Sequence, residues 1–431
     1  MAASKKRSGQ FKPLSKSSFL SRHWHVKHFL IGALVIIIVI AGLFGYSKYH
    51  ADHRQNQLQP FYNTAGLSLA GPMGQVVRSE PLGVQVQNGS ALRVLYRSQQ
   101  ANGTATFSSG MVFIPNNDNS GTPRPVVAWA HGTVGMGDQC APSRTQNPTS
   151  NIDWVNAMLA KGWVVTATDY AGLGTPGTEG YLVGGDEAKD VLNSVRALQY
   201  IPSAHAGATF AVFGHSQGGH SALFTAAEAS TYAPDLHLVG TVAAAPAAEL
   251  VALLNETSGT TLDWVIGPEV LESWPPVYPG LNPQAVTTKF GYNNYKKIAN
   301  QCIVAAALQG QVRNKFKQQF FSTDVAKIPA WNAAAQSETA PILAPPQPVL
   351  VAESLSDKVV LPNTTALYIK QACQAGSDLT SIWINNVSHQ DIPSIISPQV
   401  ISWINSRFQG QASISNCGQA LPVTPAAAPT T

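Results

Sequence analysis

The residues of this chain that are best suited to covalent chemistry lie in one short stretch, residues 214–219, with the sequence GHSQGG. An apolar, β-rich run precedes this stretch and predicts a buried strand over 208–213. An Ala-rich run follows and predicts a helix over 217–230. A serine between such a strand and helix sits in a strained turn with an exposed hydroxyl, near a helix N-terminus that favours negative charge. We therefore predict that Ser216 is a nucleophile, the alternative being a Gly- and Ser-rich loop that matches by chance.

A serine hydroxyl is a weak nucleophile at neutral pH, so it needs a base and a carboxylate that orients the base. In proteins with this strand–turn–helix motif, the chain order is serine, acid, histidine. Of the eleven histidines, only His389 lies beyond His237, and it follows the last predicted strand directly. The loop after the preceding predicted strand contains Asp357, which we predict as the acid, with Glu353 as the reserve candidate.

Two backbone N–H groups must stabilise the oxyanion that forms when the serine attacks a carbonyl. We expect the first from Gln217, the residue after the nucleophile. We expect the second from Thr133, in the turn after the predicted strand 125–130. His131 in the same turn is either a second base or, as we favour, a residue that fixes the loop.

The glycines of residues 172–177 have the spacing Gly-x-Gly-x-x-Gly and follow a predicted strand. A dinucleotide-binding site with this spacing requires a helix to begin at the second glycine. Here Pro176 is followed by a loop, and the next helix is predicted to begin only near Asp186. We interpret the segment as a backbone turn near the site, and we predict no cofactor.

Strands and helices alternate along most of the chain, which predicts an α/β fold with a mostly parallel sheet and helices on both faces. The predicted strands of the parallel part are 125–130, 163–168, 208–213, 238–243, 348–352 and 382–385. The predicted helices are 152–161, 187–200, 217–230, 364–375 and 398–408. Residues 92–97 and 110–115 predict an antiparallel pair at the edge of the sheet.

The alternation breaks over residues 247–344, which contain helical patches and Pro-rich turns but no clear strand. An insertion of this length between two core strands is typical of a cap or lid over a pocket. Its apolar residues either line that pocket or form the interior of the cap. The candidates for the pocket are Leu250, Val251, Leu253, Leu254, Trp264, Val265 and Ile266.

The 431-residue chain has a net charge of +4, but its basic residues crowd the N-terminus. No basic stripe with interleaved aromatic residues follows, so we predict no nucleic-acid partner. The apolar run over 29–46 carries no charge and predicts a transmembrane helix with a cytoplasmic N-terminus; a cleaved signal peptide is the alternative. In either case we expect the body to be exported.

These patterns predict the following organisation: a basic cytoplasmic tail (1–28), a transmembrane signal anchor (29–47), a stalk (48–75), a core (76–246 and 345–418), a helical cap (247–344) and a disordered tail (419–431). The four cysteines, all in the exported part, are Cys140, Cys302, Cys373 and Cys417. An even number in an oxidising compartment predicts two disulfides in one of three connectivities. No cysteine or histidine pattern has metal-ligand spacing, so we predict no metal site.

Three motifs resemble the secretory lipase family: residues 169–177 (DYAGLGTPG), Tyr181 with Leu182, and 214–219. The resemblance extends from about Tyr96 to Cys417. It implies an α/β-hydrolase fold with a helical cap inserted before the acid, and hydrolysis of carboxylic esters, often acylglycerols. The residues that it implies are a triad of Ser216, Asp357 and His389 and the disulfides Cys140–Cys302 and Cys373–Cys417. The N-terminal anchor departs from the family, whose members usually carry a cleaved signal.

We therefore predict an extracytoplasmic serine ester hydrolase, a lipase or esterase that forms an acyl-enzyme and requires no cofactor or metal. Its predicted partners are a lipophilic ester and, through the N-terminal helix, a membrane. One alternative is an acyltransferase or peptidase with the same triad. Another is a non-catalytic, membrane-anchored binding protein with a hydrolase fold.

Overall fold

The structure is a computed structural model that describes residues 39, 42–43, 45–116 and 121–428. The chain divides into two compact units, residues 1–60 and 61–431. The predicted transmembrane segment 29–47 lies largely outside the described residues. Among the residues that the structure does describe, no helix is both long and apolar enough to cross a membrane.

Residues 45–60 of the first unit are helical, and we call this helix α1. The first part of the predicted stalk, which spans 48–75, is therefore helical. No glycine or proline occurs over 46–59, and the polar side chains there are compatible with a helix. One turn of α1 is supported by a 3.0 Å hydrogen bond between Gln57 Nε2 and His53 Nε2.

The second unit is built on a sheet in which the described residues form nine strands. They are β1 (Val76–Pro81), β2 (Gly89–Gln99), β3 (Ala105–Pro115), β4 (Arg124–Ala130), β5 (Val164–Thr168), β6 (Ala206–His215), β7 (His237–Ala244), β8 (Val349–Ser354) and β9 (Leu379–Ile384). Their order across the sheet is β1-β2-β3-β5-β4-β6-β7-β8-β9. The pairs among β1, β2, β3 and β5 are antiparallel, and the pairs from β5 through β4 to β9 are parallel.

The predicted antiparallel pair corresponds to β2 and β3, but its predicted position at the edge of the sheet is wrong. β1 pairs with β2 and forms the edge instead. This strand was missed because it is only half-buried and carries Arg78, Glu80 and Pro81 among its six residues, a composition that does not resemble a core strand.

Five helices of the described residues cover the two faces of the sheet. They are α2 (Val155–Ala160), α3 (Gly184–Ala197), α4 (Gln217–Tyr232), α11 (Pro362–Gln374) and α12 (Ile392–Phe408). Alternate residues of one strand serve both faces, as expected from the period of two in a strand. In β6, Phe213 belongs to the apolar cluster with α2 and α12, whereas Val212 belongs to the cluster with α3 and α4.

Helix α12 begins six residues earlier than the predicted start at Pro398, which lies inside it. The helix actually begins at Ile392, directly after the short 3-10 turn His389–Asp391. Pro393 occupies the first turn, where a missing N–H costs nothing. This early start places His389 at the junction of loop and helix.

Between β7 and β8 the chain forms helices without adding a strand to the sheet. Within the described residues these are α5 (Leu250–Thr257), α6 (Gly267–Ser273), α7 (Pro283–Val286), α8 (Lys289–Ala299), α9 (Ile303–Lys315) and α10 (Pro329–Ser337). The turn between α8 and α9 is tied to the loop after β4. Met136 N donates to Ala299 O at 2.9 Å and Ile303 N donates to Val134 O at 2.8 Å.

The predicted disordered tail, 419–431, is wrong for its described part, which packs on the core. Ala426 is buried beside Leu367 of α11, and its N–H donates to Asn363 O at 2.9 Å. Leu421 packs against the apolar cluster that contains Tyr368. Small and proline-rich sequences lie flat on a surface without forming regular structure, so composition alone misassigned this segment. Residues 429–431 lie outside the described residues.

The two disulfides are Cys140–Cys302 and Cys373–Cys417, as the family resemblance implied. The first links the loop after β4 to the start of α9 across 162 residues, and the second spans 44 residues. Both are consistent with folding in an oxidising compartment.

Replacing Cys140 and Cys302 together by alanine should lower the free energy of unfolding by roughly 2–5 kcal/mol. The same change at Cys373 and Cys417 should cost about 1 kcal/mol less, because the loop that it closes is shorter, 44 residues against 162. Urea unfolding of the two double variants beside the wild type measures both effects. Unchanged unfolding midpoints in both variants would contradict the expectation.

Candidate active site

Ser216 forms the sharp turn between β6 and α4. Its backbone angles are φ 61° and ψ −120°, a region that residues with a side chain rarely occupy. The turn is held from two directions: Ser216 N donates to Ala244 O of β7 at 2.9 Å, and Ser216 O accepts from His220 N of α4 at 3.2 Å. Such strain persists only where the surrounding structure enforces it, and it typically marks a functional residue.

Two glycines permit the approach of strand and helix at this turn. A side chain at Gly214 would overlap the carbonyl of Gly218. A side chain at Gly218 would overlap the carbonyl of Ala130 at the end of β4. The Gly-x-Ser-x-Gly spacing is therefore required by backbone contacts on both sides of Ser216.

The predicted base and acid come together at the same edge of the sheet, because they follow the adjacent parallel strands β8 and β9. His389 Nδ1 lies 2.6 Å from Asp357 Oδ2, and both residues are buried. An ionised carboxylate only accepts hydrogen bonds, so Nδ1 carries the proton and donates it. This leaves Nε2 as the basic nitrogen. His389 lines one cavity together with Ser216.

The second oxygen of Asp357 is also satisfied. Oδ1 accepts from Val359 N at 2.7 Å and from Val360 N at 3.1 Å. The carboxylate is thereby fixed in one orientation toward His389 by backbone groups of its own loop.

Glu353, the reserve candidate for the acid, has different partners. Its Oε1 accepts from Ser354 N at 2.7 Å and its Oε2 accepts from Thr365 Oγ1 at 2.6 Å. Complete burial, and then the charge of Asp357, raise the pKa of Glu353 well above its usual range. Both oxygens of Glu353 are thus bonded away from His389, and the hydrogen bond to His389 belongs to Asp357.

Gln217, a predicted oxyanion residue, is the first residue of α4. The first N–H groups of a helix have no intrahelical acceptor, so this position leaves a donor beside Ser216. Its side chain is turned inward: Nε2 donates to Glu179 Oε1 at 3.0 Å and to Glu187 Oε1 at 2.7 Å. The side chain therefore anchors the residue whose backbone N–H is the candidate donor.

Thr133, the other predicted oxyanion residue, lies in a loop that packs directly against the serine turn. A Cβ atom on the neighbouring Gly132 would lie only 3.4 Å from the Cβ of Ser216. Thr133 lines both cavities that contain Ser216, and its Oγ1 lies 2.9 Å from the hydroxyl of Tyr181. This hydrogen bond fixes Thr133 against the loop that precedes α3.

His131 is a buried structural residue of the same loop. Its Nδ1 lies 2.7 Å from Gly132 O and its Nε2 lies 3.2 Å from Asp169 O. Its ring packs 4.5 Å from the ring of Tyr170, measured between centroids. These contacts fix the loop, which is the role that sequence analysis favoured over a second base.

His215, which sequence analysis did not single out, packs against the predicted base. The ring centroids of His215 and His389 are 4.5 Å apart. Burial, and then the neighbouring His389, lower the pKa of His215 well below its usual range, so its ring stays neutral. Its position before the serine was the only sequence signal, and a strand-end histidine is not by itself informative.

A group of buried carboxyls lies beneath Gln217 and was also missed. Glu187 Oε2 accepts from Ser221 Oγ at 2.5 Å and lies 3.2 Å from His220 Nδ1. The imidazole of His220 therefore contacts Glu187 rather than Ser216. Burial, before the charges of nearby acids, raises the pKa of Glu179 to about 8. Burial and Glu179 raise the pKa of Glu269 in α6 well above its usual range. Glutamates in a helix or loop are usually exposed, so only the fold reveals this network.

Two cavities meet at Ser216 and differ in chemistry. The first is mainly apolar and lies between the serine turn and the inserted helices; with Ser216 it is lined by Thr133, Tyr181, Leu182, Gln217, Ala247, Leu250, Leu253, Leu254, Thr257, Leu262, Asp263, Ile266, Gly267, Val270, Trp274, Phe321, Val325, Trp331, Val359 and Val360. The second contains His389 and several polar side chains, including Ser150, Asn151, Asp153, Gln311 and Gln390.

Four of the seven apolar residues considered for a pocket line the first cavity: Leu250, Leu253, Leu254 and Ile266. Val265 lines the second cavity. Val251 and Trp264 are buried in the apolar core instead. The helical period places neighbours of α5 on opposite sides, so a run of apolar residues divides between pocket and core.

The glycine-rich segment 172–177 is a turn without a helix. Gly172, Gly174 and Gly177 all have positive φ, and α3 begins only at Gly184. A dinucleotide site with this spacing has its helix beginning at the second glycine, whereas α3 begins seven residues after Gly177. In the described part of the chain, no group of His, Cys, Asp or Glu is arranged to hold a metal ion.

The sheet order, the strained serine turn after β6, the loops after β8 and β9 and the helices inserted between β7 and β8 define an α/β-hydrolase fold. Residues 140–416, more than half of the chain, match the model of the secretory lipase family. The chain belongs to the secretory lipase family.

The known proteins that are similar to the chain include proteins described as lipases and one that is described as a probable inactive lipase. A probable inactive lipase of Mycobacterium tuberculosis is 24% identical over 82% of each chain. A secreted triacylglycerol lipase of Malassezia globosa is 24% identical over 90% of this chain and 88% of the relative. The structure of Candida antarctica lipase A in its closed state superposes with a TM-score of 0.66 at 19% identity, covering 85% of this chain and 91% of that one.

Proposed function

We propose that the chain is a serine carboxylic ester hydrolase whose catalytic triad is Ser216, His389 and Asp357. The observation that carries the proposal is the 2.6 Å contact of Asp357 Oδ2 with His389 Nδ1, with His389 in the cavity that contains the strained Ser216. A proton on Nδ1 leaves Nε2 free to accept the serine proton. Membership of the secretory lipase family supports a lipase-type hydrolase.

In the proposed mechanism, Ser216 Oγ attacks the ester carbonyl while His389 Nε2 takes its proton, and Asp357 stabilises the imidazolium. The N–H groups of Gln217 and Thr133 hold the oxyanion of the tetrahedral intermediate. His389 then protonates the leaving alcohol. Water repeats the sequence on the acyl-enzyme, which releases the carboxylic acid.

The two cavities suggest how an ester would lie in the site. The leaving alcohol must reach His389, so we assign the alcohol to the cavity that contains this residue. The acyl chain then occupies the apolar cavity, which contains both proposed oxyanion residues and Ser216 but not His389. The apolar lining favours lipophilic acyl groups, including those of acylglycerols.

Hydrolysis of p-nitrophenyl esters from acetate to palmitate tests this assignment. We expect kcat/KM to rise with chain length, since each buried CH2 contributes about 0.8 kcal/mol. Leu253→Trp should fill the apolar cavity and lower the decanoate-to-acetate ratio of kcat/KM roughly tenfold, the equivalent of about two methylenes. Ile414→Trp, at a position that is 82% exposed, is the matched control. An unchanged ratio in Leu253→Trp would reject the acyl assignment.

A second candidate function is ligand binding without turnover. The observation that favours it is the similarity to a protein described as a probable inactive lipase. Transfer of the acyl group to an alcohol, or hydrolysis of a peptide, would use the same three residues. A fluorogenic ester, the same ester with added alcohol, and a peptide amide separate these functions. Binding of the ester by folded protein with no turnover in any assay would favour the binding function.

We also propose that the body of the protein is exported. The family is described as secretory, and two disulfides form most readily in an oxidising compartment. The mass of the exported chain separates the two predicted routes: an anchored chain retains residues 1–47, whereas a cleaved signal removes them. A chain found only in the cytoplasm with reduced cysteines would contradict export.

A further inference from the structure

Helix α9 and Phe316, the residue that follows it, present a row of large apolar side chains to solvent. Val304, Leu308, Val312 and Phe316 are 79, 62, 50 and 72% exposed. Their spacing of four residues places them along one side of the helix. Single exposed apolar residues are ordinary, but a continuous row of four is a typical interaction surface. We call these four residues the α9 stripe.

The opposite side of α9 packs against the protein through small residues rather than through large apolar ones. That side carries the small buried residues Ala306 and Gly310. A Cβ atom on Gly310 would lie 3.1 Å from the Cβ of Trp264, so only a small residue fits there. The usual amphipathic order is therefore reversed: small residues face the protein and large apolar residues face the solvent.

The same helix forms part of the cavity that contains His389. Ile303, Ala307 and Gln311 line this cavity, and they lie next to stripe residues in the sequence. The turn before α9 is held by the Cys140–Cys302 disulfide. A surface bound by the stripe would thus lie beside the cavity to which we assign the leaving alcohol.

The chain segment that carries the stripe has charge of one sign, although Glu256 of a neighbouring element shares a surface cavity with Asn314 of α9. Residues 273–323 contain no aspartate or glutamate, although the chain has 23 acidic residues. The basic residues of this segment are Lys289, Lys296, Lys297, Arg313, Lys315 and Lys317. Lys315 and Lys317 flank Phe316 at the end of the stripe and are exposed. An apolar row with flanking lysines matches a surface of lipid chains below negatively charged headgroups.

From these contacts and charges we propose that the α9 stripe docks on an anionic lipid surface and brings the cavity mouth to it. A second copy of the chain is a poorer occupant, because a symmetric contact would bring two acid-free basic segments together. A lipid surface matches both the apolar row and its charge. The proposal deepens the proposed function, since it states how a lipophilic ester would reach the site.

A fluorescent probe on the stripe tests the proposal in the full chain. All four native cysteines are in disulfides, so Leu308→Cys provides the only thiol for an environment-sensitive dye. We expect blue-shifted emission on vesicles of phosphatidylglycerol and phosphatidylcholine. Vesicles of phosphatidylcholine alone should require roughly thirtyfold more lipid, because Lys315 and Lys317 each contribute about 1 kcal/mol near an anionic surface. Ile414→Cys, also highly exposed, should show no shift.

Two further measurements complete the test. Lys315→Gln with Lys317→Gln should raise the lipid concentration for half-maximal shift at Leu308→Cys roughly thirtyfold on the anionic vesicles only. The proposal would be overturned if the dye at position 308 showed no shift in emission, or if the dye at position 414 showed an equal shift. It would also be overturned if the shift depended on protein concentration in the absence of lipid. Hydrolysis of soluble p-nitrophenyl acetate is measured on the same samples. Its absence in the wild type would reject the proposed function, whereas its presence without a shift would reject docking alone.

Discussion

Ser216→Ala should reduce ester turnover by about 10⁴-fold or more, because the nucleophile is lost and only binding and oxyanion stabilisation remain. The fold should be unaffected, since alanine removes one hydroxyl from a turn that is held by the backbone bonds to Ala244 and His220. Rates on p-nitrophenyl butyrate, with thermal unfolding as the check on folding, measure the effect.

Ser150→Ala is the matched control, since Ser150 lines the same cavity and its Oγ donates only to the nearby Asn147 O, at 2.7 Å. It should change the rate by less than about threefold, as expected for a surface substitution within roughly 0.5 kcal/mol. Turnover near the wild-type rate in Ser216→Ala, or an equal loss in both variants, would sink the assignment of the nucleophile.

Asp357→Asn should lower kcat by about 10⁴-fold. The amide oxygen would accept from Val359 N and Val360 N, as Oδ1 does now, and the NH2 group would then face His389 Nδ1. Two donors cannot share this contact, so Nδ1 would become the unprotonated nitrogen. The proton would move to Nε2, which could no longer accept the serine proton.

Glu353→Gln is the control for this prediction. An amide has nearly the same shape as the carboxyl and can still accept from Ser354 N while its NH2 group donates to Thr365 Oγ1. The expected loss in kcat is less than about tenfold, since the hydrogen bond that orients the base is retained. A larger loss in Glu353→Gln than in Asp357→Asn would mean that Glu353 orients His389.

Sequence reasoning succeeded where local pattern and chain order constrain the fold strongly. The apolar strands, the serine turn and the late histidine each have a sequence signature, and the parallel sheet brings their loops to one edge. The contact between Asp357 and His389 follows from the order of β8 and β9. The family resemblance added the disulfide pairing, which cysteine positions alone left open.

Other features depend on contacts that no local pattern reports. β1 is recognisable only by its pairing with β2, and the described part of the C-terminal tail packs against α11 through Ala426. Glu179, Glu187 and Glu269 are buried because the loop before α3, α3 itself and α6 converge beneath Gln217. From composition alone, these charged residues would be predicted to lie on the surface.

The most direct test of the central claim is covalent labelling of the full chain with a p-nitrophenyl alkylphosphonate, followed by peptide mass spectrometry. Attack by an activated serine forms an Oγ–P bond and releases p-nitrophenolate. We expect a single adduct on the peptide that contains Ser216, and none in His389→Ala. An adduct on another residue, or an unlabelled Ser216 in folded protein, would contradict this expectation.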